Sequence, residues 1–146
     1  MIRQKNHFHE FSEVYLIAEI GVNHNGDLNL AKKMIEAAKE SGANAVKFQT
    51  FSADLLVSPE TQKVEYQKKS GPGKETHYEM IKKLEMSKDD HYVLYDFCRK
   101  LEIDFLSTPY DQESAKFLDK LGVKYFKTAS ADIIDLPLLQ YIALTG

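Results

Sequence analysis

Eight polar residues fall where strand-like runs give way to turns: Glu19; Lys47 and Gln49; Ser107 and Thr108; and Lys127, Ser130 and Asp132. Two lysines with several hydroxyl donors complement a small, highly anionic ligand. A phosphorylated carboxylate stripped of water needs cations and neutral donors in place of its hydration shell. Glu19 and Asp132 add carboxylates able to orient the hydroxyls of a polyol or to move protons. Each residue alone has a plainer explanation, since strand-end lysines are usually solvated and strand-end Ser and Thr usually cap helices. What lends the group weight is that four successive strand ends carry the same polar pattern.

Positioning these residues on one face requires parallel strands, and the chain reads as four βα units. An apolar run over residues 14–20 leads into the turn Asn23-His24-Asn25-Gly26. Asn25-Gly26 alone would suggest a hairpin. However, Ala31, Met34, Ile35 and Ala38 follow at helical spacing, with Asp27 or Asn29 as N-cap and Gly42 as stop. Residues 43–50 form the second predicted strand, in which Lys47 and Gln49, two apart, leave on the same side. From 51 to about 76 the period is lost around Pro59, Gly71, Pro72 and Gly73. An excursion that long is usually functional, and a short helix is expected at 62–68. Residues 77–84 read as helix, and Ser87 with Asp90 reads as a capping box for a helix bearing Leu94, Phe97, Cys98 and Leu101 on one face. Strand 102–109 closes at Pro109. A helix capped by Asp111 ends at Gly122, a short fourth strand covers 123–127, and Asp135 with Pro137 opens a last helix. Such a chain closes either as an open doubly wound sheet or as half of a (β/α)8 barrel. A full barrel needs about 250 residues, so 146 residues would supply only the front half.

Composition narrows the function classes. With 43% hydrophobic and 28% charged residues and a net charge of −3, the chain is an ordinary globular one without the basic footprint of a nucleic-acid or membrane-surface binder. No apolar run could span a bilayer and no signal-peptide layout is present, so a cytoplasmic location is expected. The single cysteine, Cys98, reads as a buried, inert thiol. No G-x-G-x-x-G or G-x-x-x-x-G-K-[ST] loop follows the first strand, and no G-x-S-x-G elbow occurs. His24 reads first as a turn residue bonded to backbone, with a ligand role as the alternative. His77 and His91 begin helices, and His7 and His9 lie in the lead-in of residues 1–13. Without H-x-x-x-H or C-x-x-C spacing, no complete metal site is expected within the chain.

Four stretches, Ala18-Glu19-Ile20-Gly21-Val22-Asn23-His24-Asn25-Gly26, Val46-Lys47-Phe48-Gln49-Thr50, Leu106-Ser107-Thr108-Pro109 and Phe126-Lys127-Thr128-Ala129-Ser130, resemble in order and spacing the sialic acid synthase family. That family comprises the N-acetylneuraminate synthases and the related legionaminate and pseudaminate synthases, and the resemblance runs from about residue 14 onward. It implies an α/β fold, the first half of a (β/α)8 TIM barrel over 14–146, with the rest of the barrel and a C-terminal antifreeze-like domain beyond it. It also implies a transferase that condenses phosphoenolpyruvate with the open-chain aldehyde of an N-acetylated amino sugar to give a nine-carbon 2-keto acid and phosphate. By motif, Lys47, Thr108, Lys127 and Ser130 would hold phosphoenolpyruvate, and Glu19 and Gln49 would contact the sugar. Asp132, where several relatives carry glutamate, would handle the attacking water or the sugar. Family members use Mn2+ or Mg2+ bound by histidines of later strands, and the full-length proteins are expected to be homodimers. Two other readings stay open: a Schiff-base aldolase using Lys127 or Lys47, and a non-catalytic half-barrel that binds an anion or serves in assembly.

Overall fold

The computed structural model describes residues 14–57 and 76–146. Its elements run β1 (Ile17–Gly21), α1 (Leu28–Glu40), β2 (Ala45–Thr50), α2 (Ala53–Leu56), α3 (His77–Leu84), α4 (Lys88–Lys100), β3 (Asp104–Pro109) and α5 (Gln112–Leu121). A 3-10 turn (Ser130–Ile134) and α6 (Leu136–Leu144) follow. The lead-in 1–13 and the helix expected at 62–68 lie outside the described residues.

The three strands are parallel in the order β1-β2-β3, each beside its neighbour in sequence. A doubly wound sheet reverses its strand order at a switch point. A steady progression is the order of a barrel, and the fold is a partial (β/α) barrel. Its curl shows at the amino ends of the strands. Tyr15 donates to Asp104 at 2.6 Å, Lys124 reaches the other Asp104 oxygen at 2.6 Å, and the Tyr15 and Tyr125 rings meet edge to face at 6.4 Å. Flat strands would hold first and fourth positions about 14 Å apart.

The fourth strand expected over 123–127 is reduced to one parallel bridge, Ser107 to Phe126. Pro109 stops the pairing from continuing past Phe126. The amides of Asp104 and Tyr110 donate toward β2, to Asn44 and Thr50. Residues 105, 107 and 109 therefore present their amides to the opposite edge. Beyond Ser107 the next donor on that edge would be Pro109, which has none.

The helices cover one face of the sheet. Ala31, Ile35 and Ala38 of α1, Leu94 and Cys98 of α4, and Phe117, Leu118 and Leu121 of α5 pack on Ile20, Val46, Phe48 and Phe105. Phe48 and Phe105 stack at 5.2 Å, and full burial of such a ring contributes roughly 1.5–3 kcal/mol. Cys98 lies in this core, where burial pushes its thiol up to about 12.

Helix entries follow the capping chemistry, with one correction. Asp27 accepts from the amides of Asn29 and Leu30, and Asp111 from that of Ser114. Ser87 accepts from the Asp90 amide, but the reciprocal bond of a capping box is absent. The Asp90 carboxylate takes the Ser87 hydroxyl instead. The full box forms at Thr76 and Glu79, where the longer glutamate reaches back to the Thr76 amide at 2.7 Å. α2 and the α3 region are joined by carboxylates: Asp54 accepts from Tyr78 at 2.5 Å and from Lys82 at 3.0 Å, and Glu85 accepts from the Ala53 amide at 2.9 Å.

Candidate functional site at the strand ends

Side chains alternate along each strand, so residues two apart share a face. Phe48 and Thr50 of β2 and Phe105 and Ser107 of β3 turn toward the helices. Lys47, Gln49 and Thr108 turn to the concave side, where a barrel keeps its chemistry. The register pairs Glu19 with Lys47 and Gln49 with Thr108, which stacks four of the expected residues at one end of the sheet. The Lys47 ammonium sits 2.5 Å from Glu19 Oε2 and donates to Thr108 Oγ1 at 3.2 Å. Its side chain is 12% exposed and that of Glu19 49%. The pair is thus open on the Glu19 side and shielded around the lysine.

An irregularity in β1 makes this geometry. Glu19 pairs with Lys47 but Gly21 with Phe48, so one extra residue is inserted after Glu19. Such bulges bend a strand and re-aim a side chain. Ile20 is left in the core, and Gly21 takes a left-handed φ of +57°. A β-carbon at Gly21 would stand 3.2 Å from Glu19 Oε1 and 3.5 Å from Gln49 Nε2. The missing side chain is the space into which the carboxylate and the amide converge.

Asp132 lies in the 3-10 turn, 7% exposed, and accepts from the Ala129 amide at 2.5 Å. It closes the turn and at the same time brings a carboxylate toward Tyr110. Burial raises the Tyr110 phenol above its ordinary range, and the negative fields of Asp132 and Glu19 add to the effect. Tyr110 is thus a neighbour of both carboxylates, with its ring edge-on to Phe51 at 6.2 Å. Its signal in the sequence was the period: it stands two beyond Thr108.

The remaining expected residues are placed unevenly. Phe126 packs on the core and bridges to Ser107, and Lys127 follows it just outside that single bridge. Lys127 and Ser130 are exposed, and among the described residues no hydrogen bond or ion pair ties either to the Lys47 pair. Ser107 does not join the site. It is fully buried on the helix side, 2.7 Å from Thr50 Oγ1, because neighbours on a strand point oppositely and Thr108 holds the concave position.

His24 is fully buried, and its Nδ1 accepts from the Gly26 amide at 3.0 Å, the turn role expected of it. Burial lowers its pKa, the nearby His91 adds to this, and the Gly21 carbonyl opposes it. The described residues contain no group of three or more His, Cys, Asp or Glu placed to hold a metal ion, and the ring nitrogens of His24 and His91 are turned into backbone and core. These residues do not by themselves fit a metal centre. No helix among the described residues is long and apolar enough to cross a membrane.

The parallel strand order, the helices on one face and the lysine–carboxylate pair at the carboxyl ends define a strand-end site of a (β/α)-barrel protein. The chain belongs to the NeuB family, whose profile matches residues 34–146. It is 54% identical over 129 residues to an N,N'-diacetyllegionaminic acid synthase of Legionella pneumophila, covering 88% of this chain and 36% of that protein. With a synthase of the same name from Campylobacter jejuni the identity is 49%, covering 88% and 38%. Among solved structures, the N-acetylneuraminic acid (sialic acid) synthetase of Leptospira borgpetersenii, in complex with citrate, superposes with a TM-score of 0.76 at 32% identity, over 90% of this chain and 41% of that one. The chain thus spans little more than a third of the length of the two curated relatives.

Proposed function

We propose that residues 14–146 form the first half of a (β/α)8 catalytic domain that condenses phosphoenolpyruvate with the aldehyde of an N-acetylated amino sugar, giving a nine-carbon 2-keto acid and phosphate. The observation that carries the reading is the Lys47 ammonium held between Glu19 and Thr108 on the concave face. An ammonium has three donors. Glu19 and Thr108 engage two, and the third is left for an anionic ligand. The Ser107–Phe126 bridge brings the segment carrying Lys127 alongside β3, so a second cation and the Thr108 hydroxyl can serve the same carboxylate or phosphate. Ser130, at the start of the 3-10 turn, adds a further donor.

In the reaction, C3 of phosphoenolpyruvate forms the new bond to the aldehyde carbon and water adds at C2. The resulting tetrahedral centre then expels phosphate by C–O cleavage. The chain's own residues would bind and orient. Lys47 and Lys127 offset the charge of the substrate and of the departing phosphate. Glu19 and Gln49, converging over Gly21, meet the sugar hydroxyls. Asp132, with Tyr110 beside it, is placed to receive a proton from the attacking water. The divalent cation that resemblance to the family calls for would polarise the aldehyde, and the described residues supply no complete ligand set for it.

Lys47 spends donors on a carboxylate and a hydroxyl, which suits a cation that binds an anion better than an amine that attacks a carbonyl. Calorimetric titration of the chain with phosphoenolpyruvate tests the proposal. Saturable binding that Lys47→Ala abolishes is the expected result, and a folded wild-type chain that binds none contradicts it. Borohydride treatment with pyruvate, read by mass spectrometry, tests the aldolase alternative, for which an adduct on Lys47 or Lys127 would be required.

A further inference from the structure

Behind the strand ends a hydrogen-bonded chain runs from α4 to β3. His91, in the first turn of α4, is 3% exposed, and its Nδ1 lies 2.8 Å from the Ser87 carbonyl. A carbonyl can only accept, so Nδ1 carries the proton. Burial disfavours the charged ring and lowers its pKa, opposed by the bond to Ser87 and the field of Asp90, so Nε2 is left as an acceptor. Thr50 Oγ1, 2.9 Å away, must then donate to Nε2. With its proton spent, Thr50 accepts from the Ser107 hydroxyl at 2.7 Å. One carbonyl thus sets the polarity of every bond in the chain. The imidazole is also fixed from the sides by the rings of Phe105 at 6.4 Å and Phe117 at 5.5 Å.

Thr50 and Ser107 are the backs of the two strand segments whose fronts carry Gln49 and Thr108. The bridge between them lies where the ladder is about to end, since the bond from the Tyr110 amide to the Thr50 carbonyl joins residues at the edge of the pairing. Backbone pairing is weakly constrained there, and a buried side-chain link adds what the ladder lacks. We propose that His91 is a positioning residue for the strand-end site: through Thr50 and Ser107 it fixes the spacing at which Gln49, Thr108 and the Lys47 bonded to Thr108 face a ligand. The ligand half of this inference rests on the proposed phosphoenolpyruvate site. The geometric half does not.

The test follows the Thr108 methyl and the Gln49 side-chain amide by NMR, with the Leu94 methyls reporting the core. Thr50→Val keeps the branched shape and removes the hydroxyl, and His91→Phe keeps a ring and removes the acceptor. Both are expected to move the Thr108 and Gln49 signals while those of Leu94 stay. His91→Gln restores an acceptor and is expected to return them toward wild type. Phosphoenolpyruvate affinity should fall by roughly tenfold in both Thr50→Val and His91→Phe, and stay near wild type in His91→Gln. Unmoved Thr108 and Gln49 signals in Thr50→Val overturn the proposal, and that variant decides it even if His91→Phe does not fold. A wild-type chain that binds no phosphoenolpyruvate contradicts the proposed function, while the NMR signals still decide the role of His91.

Discussion

Gly26→Ala should cost much more stability than its backbone conformation alone explains. Gly26 has φ +75°, and a β-carbon there would stand 2.3 Å from the backbone carbonyl oxygen of Lys83, at the end of α3. Gly42 provides the control: its φ is +84°, and nothing lies within 4 Å of its added carbon. Placing alanine in a left-handed conformation costs about 1–2 kcal/mol, of which the stiffer unfolded chain returns about 0.4–1 kcal/mol. Gly42→Ala should therefore lose about 1 kcal/mol. At Gly26 the overlap is with backbone, which cannot rotate away, and overpacking of that kind adds roughly 1–3 kcal/mol. The expected total is about 2–4 kcal/mol, a large share of the roughly 5–15 kcal/mol that holds a domain folded. Urea denaturation followed by circular dichroism reads both variants, and the Gly26→Ala midpoint should fall about 1 M further than that of Gly42→Ala. Equal losses at the two positions would refute the close packing of the first strand-end loop on α3.

Three further outcomes follow from other parts of the molecule. Gly21→Ala should leave the core intact yet weaken phosphoenolpyruvate binding in calorimetry, because the new methyl occupies the space where Glu19 and Gln49 converge; unchanged affinity would detach that space from the site. Burial alone would raise the Asp104 carboxyl, but the bonds from Lys124 and Tyr15 outweigh it and hold it below the ordinary carboxylate range. A depressed carboxylate stabilises above its unfolded pKa of about 3.9 and loses that contribution as pH falls through the folded value. Asp104→Asn should accordingly cost about 1 kcal/mol at pH 7, allowing for partial exposure, and progressively less as pH falls below about 3.9; a cost that does not depend on pH would point to packing instead. Cys98, its thiol raised to about 12 by burial, should resist a chromogenic disulfide reagent at pH 8 in the native chain and react promptly in urea, whereas rapid native reaction would place it at the surface.

The elements were legible where local chemistry and tertiary packing agree. The α1 face at Ala31, Ile35 and Ala38, the caps at Asp27 and Asp111, and helix 77–84 appear as the residue pattern implies. The extent of the fourth strand was not, because apolar content at 123–127 says nothing about where the partner edge stops pairing, and past Phe126 that edge ends. Its partner is β3, and the amide needed to continue the ladder beyond Ser107 belongs to Pro109. The same proline that marks the end of β3 in the sequence also limits the strand beside it. The capping box formed at Thr76 and not at Ser87, where the Asp90 carboxylate takes the Ser87 hydroxyl in place of the backbone amide.

At the site, the decisive quantity was parity along the strands. Lys47 and Gln49 are two apart, so their shared face is fixed whatever the register. Ser107 and Thr108 are adjacent, and a strand must send them to opposite sides. Composition alone cannot say which one faces the concave side. Pairing decides it: Gln49 lies opposite Thr108 and Phe48 opposite Ser107, so the face that takes the polar pair Lys47–Gln49 also takes Thr108 and then Tyr110. Ser107 is thereby committed to the helix side, where a hydroxyl needs a partner to be buried without penalty. Thr50, committed to that side by the same count, supplies one, and His91 completes the set. Although Ser107 is turned away from the concave face, its hydroxyl is bonded to the strand segment that presents Gln49. The two halves of the Ser107-Thr108 pair therefore act on one pair of strand ends from opposite sides.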